Sequence, residues 1–535
     1  MYLINLVFNR FIFSTPAQKM KVFYLLFFMT ICFFFSSCEK EPETQSITKE
    51  YLWEDQTENY LPQTAEWTNR VEIADLNGDN LVDLIFANGG DYSEPGKLES
   101  SRVFINQGTD KQFLEVSDSV FGDAKFYARV IKVRDLNEDG FPDIFVGNTF
   151  QTQSELFLGS GNGNFQKVTA THLPAFLGSI GDMEFGDVDD DGDLDITFSD
   201  WGPGLNMTNS GGLTRLWLND GQAKFTDVTA TQMPEILIQF SWDLEFFDFD
   251  NDFDLDIAVS CKMCGTSRIF VNDGKGKFLH QRLVPAYANN YEFEPMDVNN
   301  DGFLDLVTVN DGHILDQKSW SRIEHIFLND SAKGFTDATM ELWPLSENIG
   351  EDDNNVIFLD YDSDGDPDFL LSSLTGEDRL LINDGKGNFT LRQSIMSGEP
   401  TPHTLSLMAS DINGDGKIDL IMGQGEGEEV IEERIFIGAG ISKDTAAPKI
   451  SHLEIFKNDD GTIDIKARIH DNKSPNMPQD WKSVELVSNG ISTPLKWYGE
   501  NLWKSTIKND NQSSTWQICA TDAAGNKTCK ELALN

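Results

Sequence analysis

Basic residues are in short supply in this chain. Lysine and arginine number 41 against 88 aspartates and glutamates, a formal net charge of -47 over 535 residues. Such a charge repels polyanions and argues against nucleic acid as a partner. Histidines number only seven, and neither a nucleophile motif nor a His-rich metal set is present to carry an enzyme assignment. The apolar run from Val22 to Phe35 has 14 residues, short for a membrane span. With Lys19 and Lys21 ahead of it, it suits a signal-peptide core instead.

What the chain has in abundance is one acidic pattern, D-x-[DN]-x-D-[GNF]-x-x-D, seven times between residues 75 and 419. Its first, third, fifth and ninth positions are Asp75, Asn77, Asp79 and Asp83 in the first copy, then Asp135, Asn137, Asp139 and Asp143 in the second. The third has Asp187, Asp189, Asp191 and Asp195, and the fourth Asp248, Asp250, Asp252 and Asp256. Asp297, Asn299, Asp301 and Asp305 follow, then Asp360, Asp362, Asp364 and Asp368, and last Asp411, Asn413, Asp415 and Asp419. Hard oxygen ligands at alternate positions of a tight loop are what Ca2+ accepts, whereas magnesium takes fewer protein ligands and zinc wants His or Cys. The sixth position needs a residue tolerant of positive φ. Gly fills it in five copies and Asn80 in another, but Phe253 stands there in the fourth. The expectation is therefore six to seven calcium sites, with the fourth the weak one.

Each acidic loop lies between apolar segments, such as Val130 to Val133 before and Asp143 to Val146 after. That reads as a β-hairpin turning at the loop. A second hairpin follows in nearly every unit, as in Leu216-Trp217-Leu218-Asn219-Asp220-Gly221 and Phe225 to Thr229. Two hairpins make a four-stranded blade, and a period of roughly 50 to 60 residues suits a propeller. The fold class expected is all-β, a seven-bladed propeller followed by a small β-sandwich. The seventh unit ends one strand short at Ile437, and Trp53 to Thr57, with Pro62 beyond, matches the missing outer strand. The N-terminal strand is thus expected to complete the last blade.

The loops at 187–195 and 411–419, with the L-x-x-N-D-G-x-G-x-F hairpins that follow such loops, resemble those of FG-GAP/VCBS repeat proteins. The resemblance covers roughly residues 50–440. It implies the calcium-binding propeller found at the head of integrin α chains, and it leaves activity open among adhesion, glycan binding and polysaccharide lyase chemistry.

Phe35-Ser36-Ser37-Cys38 resembles a bacterial lipobox, with Phe in place of the usual Leu at its first position. It implies lipidation of Cys38 and an anchor in the outer membrane or at the cell surface. Residues 1–38 are then a signal peptide, 39–50 a tether and 51–441 the propeller. From Asp444-Thr445-Ala446-Ala447-Pro448 the repeats stop, and short alternating segments over 442–535 suit a β-sandwich. Its closing stretch Ile518 to Asn526 resembles the last hairpin of bacterial immunoglobulin-like modules. Cys519 and Cys529 lie symmetrically about the turn there and can pair. Cys261 and Cys264 read as a disulfide across a tight turn or as a redox motif, with no helix pattern after them to lower a thiol pKa.

Ligand contact is expected on the end opposite the acidic loops. The connections at 88–101, 199–213 and 309–324 are long there, and Trp67, Trp201, Trp242 and Trp320 sit in or beside them. Alternation in the strands before the loops places a ring of polar side chains about a central axis. This picks out Arg70, Arg129, Asp182, Trp201, Asp243 and Glu292 as candidate ligand-binding residues, for a glycan or a protein. The alternatives are a solvated tunnel wall or a carbohydrate-active enzyme such as a polysaccharide lyase, with Asp182 and Asp243 as acid and base.

Overall fold

The computed structural model describes residues 51–532 apart from 63–65, 92, 110, 205–208, 265, 288–289, 311–322, 399, 426–431, 459, 489 and 509–515. The apolar leader, Cys38, the tether and Trp320 lie outside the described residues. No helix among the described residues is long and apolar enough to cross a membrane.

The chain is all-β, built of small antiparallel sheets. Seven of them follow the acidic repeat. In each, the strand before the loop pairs with the strand after it, as Thr68–Ala74 does with Asp83–Asn88 and Asn290–Met296 with Asp305–Asn310. A third and a fourth strand then follow outward, for example Arg102–Ile105 and Leu114–Glu115. The second strands are buried along their whole length on both faces, which explains their continuous apolar composition. In the seventh sheet the outer place is taken by Trp53–Asp55, paired with Arg434–Gly438 as the sequence motif predicts. Trp53 is fully buried there and its indole N–H donates to the Ile418 carbonyl at 2.9 Å.

Two sets of polar ties join one sheet to the next. In the second hairpins an asparagine side chain reaches into the preceding sheet. Asn219 donates to the Leu136 carbonyl, Asn272 to Val188, Asn329 to Phe249 and Asn383 to Val298, at 2.8 to 3.2 Å. Asn106 of the first sheet donates to Ile412 of the seventh at 2.9 Å. Along the first strands, Asp243 accepts the Phe293 N–H, Glu292 that of Val356, Asn355 that of Leu407 and Ser406 that of Val71. The last again runs from the seventh sheet to the first.

Residues from Lys449 onward form two further four-stranded sheets. Ile463, Ile465, Val484, Leu486, Trp516 and Ile518 pack between them, from the alternating positions the sequence marked. Cys519 pairs in register with Cys529 and the two are disulfide-bonded, as are Cys261 and Cys264.

Candidate metal centres and a buried charged cluster

The acidic loops share one hydrogen-bond plan. The ninth-position carboxylate accepts the N–H of the second residue on one oxygen and the N–H of the asparagine at the end of the third strand on the other, as Asp83 does from Leu76 and Asn106 and Asp305 from Val298 and Asn329. The first-position Asp accepts the N–H groups of the fifth and sixth residues, as Asp135 does from Asp139 and Gly140. Turning the chain this tightly needs two left-handed residues. The sixth position supplies one, and Phe253 adopts it at φ 68° as Asn80 does at 64°. The fourth position supplies the other, in Glu138, Asp190, Asn251, Asn300 and Ser363 at 58° to 63° and in Gly78 and Gly414 at 79° and 76°. Sequence reasoning weighed only the sixth. The acidic, amide and glycine residues crowding the fourth position were the available signal.

Oxygen atoms of Asp187, Asp189 and Asp195 lie within 4.8 Å of one another, and so do those of Asp248, Asp250 and Asp256 and of Asp360, Asp362 and Asp368. The other four loops carry Asn at the third position, and in three of them its amide donates to the fifth-position carboxylate. Burial pushes the Asp195 carboxyl up to about 9 and those of Asp305 and Asp368 to about 8. Asp187 Oδ1, Asp189 Oδ1 and Asp250 Oδ1 are buried without a hydrogen-bond donor. Such oxygens are costly unless a cation meets them, and an all-oxygen set of this shape fits Ca2+. The fourth loop brings its three carboxylates together as the third and sixth do, so Phe253 does not distort the site expected to be weak.

The sandwich lies on this end of the molecule. Lys504 Nζ bonds Asp187 Oδ2 at 2.6 Å and Asp190 at 2.7 Å. Arg468 bonds Asp248 Oδ2 at 2.8 Å and Asn251 at 2.6 Å. Lys466 faces Asp254 at 3.6 Å, and Lys496 bonds Glu138 and the Gly192 carbonyl. A further carboxylate group, Asp444, Asp471 and Asp522, also comes within 4.8 Å. Nothing in the loop repeat pointed to it.

Four of the six residues expected to contact ligand meet in a buried cluster. Arg70 bonds Asp182 at 3.1 Å and Glu292 at 3.0 Å and faces Asp243 at 3.5 Å. Burial pushes the Asp243 and Glu245 carboxyls well above the usual range. Arg129 lies over the Trp242 ring at 3.9 Å and bonds Asn69. Below them is a cavity of about 70 Å³ lined by Lys132, Glu184, Glu245 and Glu294, and by Trp497 and Glu500 of the sandwich. Trp201 corrects its expectation. It is fully buried, stacked on Trp242 at 5.2 Å, and its N–H donates to the Ser241 carbonyl, so it packs the core and offers no face to a ligand. Trp67 is half-buried and donates to Asn69.

Residues 75–146, 135–198 and 360–422 match the family model of an FG-GAP-like repeat. Three stretches of this chain are FG-GAP-like repeats. No curated protein matches. Among solved structures the chain is similar to the Photorhabdus luminescens Tc holotoxin pore, at 12% identity and a TM-score of 0.36 over 82% of this chain and 21% of that one. It is similar also to the V. cholerae biofilm matrix protein Bap1, at 12% and 0.32 over 88% and 73%. A puromycin hydrolase matches at 12% and 0.38, over 78% of this chain and 59% of its own.

Proposed function

We propose that this chain is a calcium-stabilised binding or adhesion module held at a bacterial cell surface. In this reading the seven sheets close into a seven-bladed propeller and residues 442–535 form an immunoglobulin-like module. The observation that carries it is the run of first-strand ties from the fourth sheet to the seventh, which goes on from Ser406 to Val71 of the first, with Trp53–Asp55 filling the outer place of the seventh sheet. A closed ring of blades leaves only short, protected strand edges and makes a rigid platform. The buried donor-less oxygens of Asp187 and Asp189 support calcium as the cation.

The sandwich occupies the acidic-loop end, so a glycan or protein ligand is best received at the other end. Arg70, Arg129, Asp182, Asp243 and Glu292 then hold the floor of that end together, and the connections around 88–101 and 199–213 make the contacts. Asp182 and Asp243 are both engaged by Arg70, which argues against free acid–base chemistry there. The lipobox-like segment supports anchoring through Cys38 in the outer membrane. A glycan and protein array probed with and without chelator tests the reading. Binding without turnover, lost on chelation, is expected; release of unsaturated sugar products would replace it with the lyase. Cys38→Ala should move the protein from membranes to the soluble fraction, and retention on membranes would reject lipid anchoring.

A further inference from the structure

We propose that the C-terminal sandwich pins the third and fourth acidic loops, so that their cations leave more slowly than those of the other loops and are freed when the sandwich lifts away. This rests on the calcium reading above. The seven loops are alike in sequence, but only two of them have a first-position carboxylate that bonds a basic side chain among the described residues: Asp187 with Lys504 and Asp248 with Arg468. In both cases the basic group takes the outer oxygen, Oδ2, and the side chain of the fourth-position residue, Asp190 or Asn251. The fourth position is not one of the ligand positions of the pattern. The inner oxygens Asp187 Oδ1, Asp189 Oδ1 and Asp250 Oδ1 remain buried with no donor. The sandwich therefore covers these sites without filling them.

Backbone contacts add to this hold. The Asp187 N–H donates to the Tyr498 carbonyl at 2.8 Å, and the Tyr498 hydroxyl donates to the Phe253 carbonyl at 2.9 Å. Phe253, the single departure from the Gly or Asn pattern, is fully buried against His452 and Phe456 of the sandwich. Its ring anchors the covering module at the point where the other loops turn through Gly or Asn. The fifth-position ligands Asp191 and Asp252 stay exposed, so the ion is retained by holding the loop and not by excluding water. The loop must open for the ion to leave, and with its first residue and Phe253 held by the sandwich that opening is tied to a local opening of the interface.

The test is calcium release from the whole protein into excess chelating dye, after bound calcium has been counted. Two of the ions are expected to leave at least about tenfold more slowly than the rest, a factor set by the population of the lifted state. Arg468→Ala with Lys504→Ala, and separately Phe253→Gly, should bring that slow phase into the fast one while far-ultraviolet circular dichroism stays native. Phe253→Gly restores the ordinary loop residue, so it separates loss of cover from loss of the site. A single fast phase in the unaltered protein overturns the proposal alone, and so does a slow phase that both variants keep. A protein that binds no calcium overturns the calcium reading with it.

Discussion

Trp201 and Phe253 are the residues whose meaning changed most between sequence and structure. A tryptophan in a Gly- and Asn-rich connection resembles a sugar-stacking platform, yet Trp201 stacks on Trp242 beneath Arg129 and donates its N–H to a backbone carbonyl. Removing it leaves a large cavity and takes one of two donors from the Ser241 carbonyl, which keeps the Ser199 hydroxyl. Trp201→Ala is accordingly expected to cost about 3 to 5 kcal/mol in denaturant unfolding, and binding should fall only as folding does. An unchanged midpoint together with lost binding would return Trp201 to the ligand surface. Phe253 looked like a flaw in a metal loop because position pattern is local information. Its partners His452 and Phe456 lie some two hundred positions along the chain, beyond what spacing reports.

At the scale of elements, hairpins and their order were readable because the apolar alternation and the acidic turns repeat. The ties between sheets were not. Asn106, Asn219, Asn272, Asn329 and Asn383 read as turn residues, and their amides in fact bridge neighbouring sheets. Glu433 is a tie of the same sort. It bonds the Thr68 hydroxyl of the first sheet and the Gln424 N–H of the seventh, and burial pushes its carboxyl up to about 8. An unfolded Glu titrates near about 4.3. Because the folded value is the higher, this group favours the native state below pH of about 4, and that contribution is lost as pH rises towards about 8. Metal-free protein should therefore show a stability that declines across this window. In Glu433→Gln the decline should be shallower, as measured by chemical denaturation at fixed ionic strength; an identical slope would mean that Glu433 is already ionised in the folded chain.

For the whole molecule, the decisive seam is the seventh sheet, which draws its outer strand from the N-terminal end and its other three from residues 404–438. A chain lacking residues 39–62 loses Trp53 and the strand that covers Arg434–Gly438. Its melting temperature is expected to fall by well over ten degrees or the protein to aggregate, since a bare edge and an unfilled core site are exposed together. Unchanged melting would show that the fold does not depend on that strand.

The strand periods, seven acidic turns and the N-terminal partner for the last hairpin follow from the sequence alone. Each is expressed within a dozen residues, or by a motif that repeats. Which polar groups meet across sheets, whether a tryptophan faces water or core, and that residues 449–532 settle over the third and fourth loops were decided by the tertiary structure. Those outcomes depend on burial and on charge brought together from distant parts of the chain. A carboxylate at position 187 reads the same as one at position 75, until Lys504 is placed beside it.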